Sequence, residues 1–461
     1  VSEDIPYLFS GGEENKENGG QGYEAARRNY FGKFNYSFDD KYLLDVTLRY
    51  DGSANFAKGN RYGFFPAALL GWRISKEDFF KSDVINELKV RASWGLLGND
   101  RVANFQFFQL YNLIENSYIF GENPVRQVGL TPSTTPNPGI TWETSEKLNF
   151  GIDFTLKNNL LTGSLDIFYE NRSDILAPRN ASIPVYSGLN LPDENIGKVN
   201  NKGFELQLMH KSNFKKIKYT IGGQFTYAKS QIRFIDEPAS VPDWQRRTGK
   251  PIDFLLVYQS NGIYQNQEEI DNSVHFPDAK PGDVKFVDQN NDGIINQDDQ
   301  IILENSPTPK IVYGINLGLE WNNLSLSVLF QGQAQAQTIY RPFDLNQQSY
   351  FYENRWRSER LTPNASYPAA YDLGSSSFRE VSTVWVKNND FLRVKNIELS
   401  YSFRENLLKK VGLDSFRLFL SGHNLFMIYD NVGINDPEST SSTGWFYPQQ
   451  RLLSTGISLT F

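Results

Sequence analysis

The segment DQNNDGIINQDD, Asp288 to Asp299, holds the densest run of oxygen ligands in the chain. Asp288, Asn290 and Asp292 stand at positions one, three and five. Gly293 follows for a sharp turn, Ile294 offers a backbone carbonyl at seven, Asn296 stands at nine and Asp299 at twelve. This is EF-hand spacing, in which a hard cation draws oxygens from alternate residues. The twelfth residue is usually a Glu that chelates through both oxygens, and Asp299 is one methylene shorter. The expectation is a structural Ca2+ site, with Mg2+ as competitor, in a long loop from Phe234 to Thr308. The alternative is an Asx-rich turn that binds no ion. A cation site here would brace the loop and not catalyse.

Other chemistry is sparse. Cysteine is absent, which removes disulfides, thiolate metal sites and Cys nucleophiles together. That absence suits passage through an oxidising periplasm. The three histidines, His210, His275 and His423, fall on separate segments. Only His423, near Ser421 and Asn424, offers a Ser/His pairing, set against an ordinary strand position. No G-x-S-x-G and no phosphate-binding loop occurs. No enzyme is expected. A net charge of -7 argues against nucleic acid, which favours basic surfaces.

The elements that must hold these residues are strands. In SLSVLFQGQAQAQ, Ser325 to Gln337, the amides Gln331, Gln333, Gln335 and Gln337 recur at every second position. Leu324, Leu326, Val328 and Phe330 take the opposite phase, so one face is polar and the other apolar. The same alternation returns in about thirteen segments, starting near Asn29, Leu43, Tyr62, Leu88, Lys147, Leu161, Gly203, Tyr219, Ile311, Leu324, Leu392, Phe416 and Leu452. The polar face carries Gly, Ser, Gln and mixed charges, including Asp45, Arg49, Lys89, Arg91, Asp153, Asp166, Glu205 and Glu398. Aromatics close the apolar face near strand ends, as with Tyr313 and Trp321 or Tyr42 and Tyr50. This pattern predicts a transmembrane β-barrel with a wet lumen, as against a soluble β-sandwich or propeller whose core is the apolar face.

Short and long connections alternate. The long ones run from Asn99 to Thr141, Ile175 to Asn200, Phe234 to Thr308, Tyr340 to Asn389 and Asp430 to Gln450. Outer-membrane barrels keep short turns in the periplasm and long loops outside. Counting back from a last strand that runs downward places Val1 outside the cell, and SGGEENKENGGQG reads as the tail of an external loop. Thirteen is odd, and an open sheet edge in lipid leaves backbone groups unsatisfied. The expectation is that further strands precede Val1.

The chain resembles the SusC/RagA family of TonB-linked outer-membrane transporters of Bacteroidota. The resemblance rests on a colinear series: RYDGSANF, LKVRASWGLLGN, NPGITWETSEKLNFGIDFTLKNNLLTGSLDIFYENRSDIL, GDVKFVDQNNDGIINQDDQIIL, PKIVYGINLGLEWNNLSLSVLFQG, DFLRVKNIELSYSF and FRLFLSGHNLFMI. It implies an all-β fold, a barrel of roughly 22 antiparallel strands, of which residues 1–461 form the C-terminal part of one barrel domain. The plug and early strands are absent from this sequence. Long extracellular loops are expected at 234–308, 340–389 and 430–450. The resemblance further implies import of a large solute, oligosaccharide or peptide, with a SusD-like surface lipoprotein and TonB-ExbB-ExbD as partners. Two alternatives stand beside it: a family barrel that only scaffolds an outer-membrane complex, and a secreted, calcium-braced glycan-binding β-protein. The glutamines would line the solute path, or else hydrogen-bond the plug and neighbouring strands. Loop aromatics, namely Trp244, Tyr350, Phe351, Tyr352, Trp356, Trp385, Trp445, Phe446 and Tyr447, suit sugar rings or protein contacts, or else form loop cores.

Overall fold

The structure, a computed structural model, describes residues 24–120, 125–179, 191–341, 349–358, 364–370, 374–403, 412–433, 435–439 and 449–461. Residues 10–22, the connection 404–411, and Trp445, Phe446 and Tyr447 lie outside them.

Thirteen strands make the wall. They are β1 (Arg27–Phe38), β2 (Tyr42–Ser53), β3 (Ala67–Arg73), β4 (Ile85–Asn99), β5 (Glu143–Leu156), β6 (Leu161–Ala177) and β7 (Glu194–Phe214). They continue through β8 (Ile217–Phe234), β9 (Ile311–Trp321), β10 (Leu324–Ala334), β11 (Phe391–Ser402), β12 (Ser415–Asp430) and β13 (Leu452–Thr460). Each pairs antiparallel with the next in chain order, and β1 and β13 are the edges. The expected strand near Tyr62 is broken. Tyr62–Phe64 pairs with Tyr50 to Gly52, and β3 begins only after Pro66. Proline has no N–H to give to a ladder, so the strand is interrupted there. The long connection after β4 also carries a hairpin that alternation did not reveal, Tyr111–Phe120 with Val125–Pro132.

The apolar face of the wall is not a core. Ile457 is 61% exposed, Ile315 42% and Leu459 41%, so these side chains point away from the protein. Between its two edges the sheet is paired strand to strand along antiparallel ladders, interrupted only at local bulges, and such pairing is what lets strands cross hydrocarbon. The rim is polar where aromatics meet it. Trp72 Nε1 donates to Glu77 at 2.9 Å and the Tyr42 hydroxyl to the same carboxylate at 2.6 Å. An apolar ring with a bonded polar tip suits a membrane–water boundary.

The buried apolar residues lie mostly in the long loops. The described residues of 235–308 and 335–390 pack into one cap at the long-loop end of the wall. One cluster joins Tyr258, Val284, Phe286 and Ile295, another Tyr340, Phe351, Tyr367, Phe378 and Trp385, and Val384 packs against both. The Tyr258 N–H donates to the Val381 carbonyl at 2.8 Å, and Ser260 meets Thr383. Ser377 Oγ accepts from the Val284 N–H and donates to the Asp283 carboxylate, both under 3.0 Å. Gly282, at φ +94°, lies so close to Trp356 that a Cβ would come within 2.6 Å of the ring. Burial pushes the Asp283 carboxyl up and the Lys387 ammonium down from their ordinary values.

Candidate functional site

The polar face of the sheet is the candidate site. Directly paired residues project to the same face, so the register places Lys89 beside Asp153 and Ser327 beside Glu398 on that face. Several of the charges expected on that face meet as compensating pairs. Arg91 holds Asp166 through two hydrogen bonds of 2.7 and 2.6 Å and reaches Asp153 at 3.2 Å, and Lys89 stands 3.3 Å from Asp153. Arg417 pairs with Glu398 and Arg172 with Glu143. A wall of paired opposite charges offers polar contacts without a field of one sign, so it does not select a cation or an anion.

The four glutamines do not share one strand. Gln331 and Gln333 lie on β10, which ends at Ala334. Gln335 sits at φ +59°, which turns the chain out of the pleat. Gln337 begins a separate short strand, Gln337–Ile339, paired with Val386–Asn388. Long-range capture overrides the local alternation here. The Gln337 N–H donates to the Ser306 carbonyl, the Asn389 N–H donates to the Ala336 carbonyl, and Ala336 is buried. Gln331 donates to Glu438 at 2.9 Å, Gln333 to the Asn389 carbonyl at 2.8 Å and Gln337 to Asn388 at 3.2 Å.

Sequence reasoning missed the residue beside them. Arg393 on β11 pairs with Gln331 in the ladder, just before a bulge around Lys395. Its side chain is 2% exposed. It binds both oxygens of Asp436 at 2.8 and 3.0 Å and stands 3.3 Å from Glu438, which Lys395 also approaches at 3.5 Å. The loop after β12 is thereby fastened to the inside of the wall. No local pattern announces this, because Arg393 and Asp436 are 43 residues apart.

The EF-hand-like segment folds as a chain of Asx turns. Asp288 Oδ2 accepts the Gly293 N–H, Asn290 Oδ1 that of Asp292, and Asp292 Oδ1 that of Ile294, all at 2.9–3.0 Å. Asn291 and Gly293 take φ values of +57° and +83°. Asn296 caps the short turn Gln297–Asp299. The fully buried Asp299 clasps the segment, accepting the N–H groups of Gln289 and Asn296 at 2.8 Å each. Asp288 Oδ1 is shielded and has no hydrogen-bond partner among the described residues. No group of three or more His, Asp or Glu side chains gathers as a metal cluster among those residues. A cation here would therefore also draw on the Asn290 amide oxygen and the Ile294 carbonyl.

His423 does not meet Ser421 as a catalytic pair. Its Nδ1 lies 2.5 Å from Asn396 Oδ1 across the ladder, and Asn424 donates to Gln449.

A family model described as TonB dependent receptor-like, beta-barrel matches residues 6–425. TonB-dependent receptor P26 of Formosa agariphila is 29% identical, matching 95% of this chain and 46% of its own length. TonB-dependent receptor SusC of Bacteroides thetaiotaomicron is 28% identical, matching 94% and 43%. The chain thus spans about half the length of the curated relatives it matches. Among solved structures, the RagAB peptide transporter superposes with a TM-score of 0.75 at 21% identity, covering 95% of this chain and 47% of that one.

Proposed function

Since the chain belongs to the TonB dependent receptor-like β-barrel family, we propose that it supplies the C-terminal barrel wall of a SusC-like importer for a large solute, oligosaccharide or peptide. It is an outer-membrane β-barrel, and the family is one of transporters, not enzymes. The observation that carries the import reading is the division of the wall: aliphatic side chains exposed outward, charge-compensated polar side chains inward. A SusD-like surface lipoprotein would cover the outer mouth, and TonB-ExbB-ExbD would supply energy. The colinear resemblance to SusC supports both partners. The test is uptake of labelled oligosaccharides and peptides by cells with and without the intact protein. Loss of uptake on deletion, reproduced by a proton uncoupler, is the expected result. Unchanged uptake with collapse of a surface complex would make the protein a scaffold.

A structural Ca2+ or Mg2+ ion on Asp288, Asn290, Asp292, Ile294, Asn296 and Asp299 would brace the cap. The spacing and the partnerless Asp288 Oδ1 support this reading, and each carboxylate oxygen of Asp299 keeps a further lone pair. Asp288→Ala with Asp292→Ala should open residues 235–308 to protease, as should a chelator on the wild-type intact protein. Cleavage that ignores both Ca2+ and chelator would leave the segment as an Asx turn.

A further inference from the structure

We propose that the outward face of the β7–β8 ladder, near its long-loop end, holds the phosphate of a phosphorylated glycolipid of the outer leaflet, a lipopolysaccharide, between Lys202 and Lys229. The two lysines are direct ladder partners, so they project to one face. That face is the aliphatic one. Lys202 pairs on its other side with the exposed Tyr169, and Lys229 stands in phase with the exposed Ile217 and Ile221 along β8.

Like charges set directly opposite destabilise a sheet. Arg91 and Arg417 on the polar face each meet a carboxylate, whereas neither Lys202 nor Lys229 makes an ion pair among the described residues. Glu146, on the same outward face two strands away, is bonded to the Trp94 Nε1–H at 2.9 Å. Further cations gather around the pair. Arg233 is exposed, the extra residue of a bulge further along β8, and Lys310 precedes β9, where its carbonyl accepts the Ala228 N–H. The Lys310 ammonium bonds to the Glu304 carbonyl and to Asn305 Oδ1, both neutral groups. Burial, and after it the Lys229 charge, holds that ammonium below its ordinary value, and the Glu304 carboxylate offsets them only in part. The cluster is short of an anion.

Height in the membrane selects which anion. Ile217 pairs with Trp321 at the short-turn end, and Lys229 lies twelve residues further along the strand. At about 3.3 Å per residue and a tilt of about 45°, that is roughly 28 Å, just past an apolar band of about 25 Å. The lysines therefore stand at headgroup level on the side of the long loops, which outer-membrane barrels turn outward. On the membrane side of the pair, Phe204 packs on Phe225 at 5.6 Å and on Tyr227 at 6.0 Å between ring centroids. Ammonium groups above an aromatic patch match a phosphate above acyl chains. A phosphate oxygen accepts from each ammonium, which turns repulsion between the lysines into a bridge. A soluble phosphate would meet the same cations and leave the aromatic patch uncovered.

The intact protein, extracted in detergent and freed of glycolipid, would be titrated with labelled lipopolysaccharide, with the same glycolipid after phosphatase treatment, with phosphatidylglycerol and with inorganic phosphate. The expected result is binding of lipopolysaccharide, weakened at least about tenfold by removal of its phosphates or by Lys202→Gln with Lys229→Gln. Lys202→Arg with Lys229→Arg should retain it. Equal binding of the dephosphorylated glycolipid, or by the double glutamine variant, overturns the proposal. Phosphatidylglycerol bound as tightly overturns it in favour of a general anionic-lipid surface, and inorganic phosphate bound as tightly in favour of a soluble-anion surface. Should the double glutamine variant fail to fold, Lys202→Gln alone decides by thermal unfolding. Removing one of two opposed charges should raise the midpoint in glycolipid-free detergent and cut the rise that lipopolysaccharide brings to the wild type. A lowered midpoint without glycolipid, or an undiminished rise with it, overturns the bridge.

Discussion

Trp385→Ala is expected to cost the cap about 3–5 kcal/mol, the range for deleting a buried tryptophan. Trp385 is fully buried, stacks on Tyr367 at 5.7 Å between ring centroids, meets Phe378 at 5.3 Å and donates Nε1–H to the Ser377 carbonyl. Removing it leaves a cavity lined by rings and an unpaired carbonyl. Because Val384 packs against both aromatic clusters and Ser260 meets Thr383, the damage should reach residues 235–308 as well. Limited proteolysis of the intact protein in detergent reads this directly. Cleavage within 335–390 with 235–308 still protected would show two independent loops in place of one cap. The wall should stay resistant in either case, since its strands do not depend on Trp385.

Ile457→Arg should destabilise the barrel by about 2–4 kcal/mol, the range for an arginine facing lipid at mid-membrane, while Ser458→Arg should be far milder. The neighbours decide this. Ile457 pairs with Leu418 on the exposed aliphatic face, whereas Ser458 pairs with Arg417, whose guanidinium reaches Glu398 on the polar face. An arginine at 458 meets water, Arg417 and the carboxylate that Arg417 holds, a modest like-charge cost in place of burial in hydrocarbon. Folding titrations of the intact barrel into lipid vesicles would measure the difference. Equal costs at the two positions would mean that hydrocarbon does not contact the Ile457 face.

The wall was legible because its signal is local. Alternation of period two marks each strand wherever the two faces differ, and aromatics mark the ends. The same locality explains the failures. Pro66 was a visible breaker inside the Tyr62 segment, and the pattern around it outweighed it. The glutamine row kept perfect alternation past Ala334, yet carbonyls and N–H groups from residues 306 and 389 drew the chain away from the pleat. The loop aromatics divide as position alone could not foretell. Phe351, Trp356 and Trp385 are buried in the cap, while Tyr350 and Tyr352 are exposed. The fastening of Arg393 to Asp436 is a property of a loop meeting the wall, and spacing in the chain holds no trace of it.

The cap also bears on when the molecule can be finished. Tyr258 and Ser260 bond to Val381 and Thr383, partners more than a hundred positions downstream, and the β9–β10 hairpin lies between them. A closure of that span carries a loop entropy that nearby contacts do not share. The aromatic knot therefore joins segments on either side of that hairpin, and its closure carries the cost of a non-local contact.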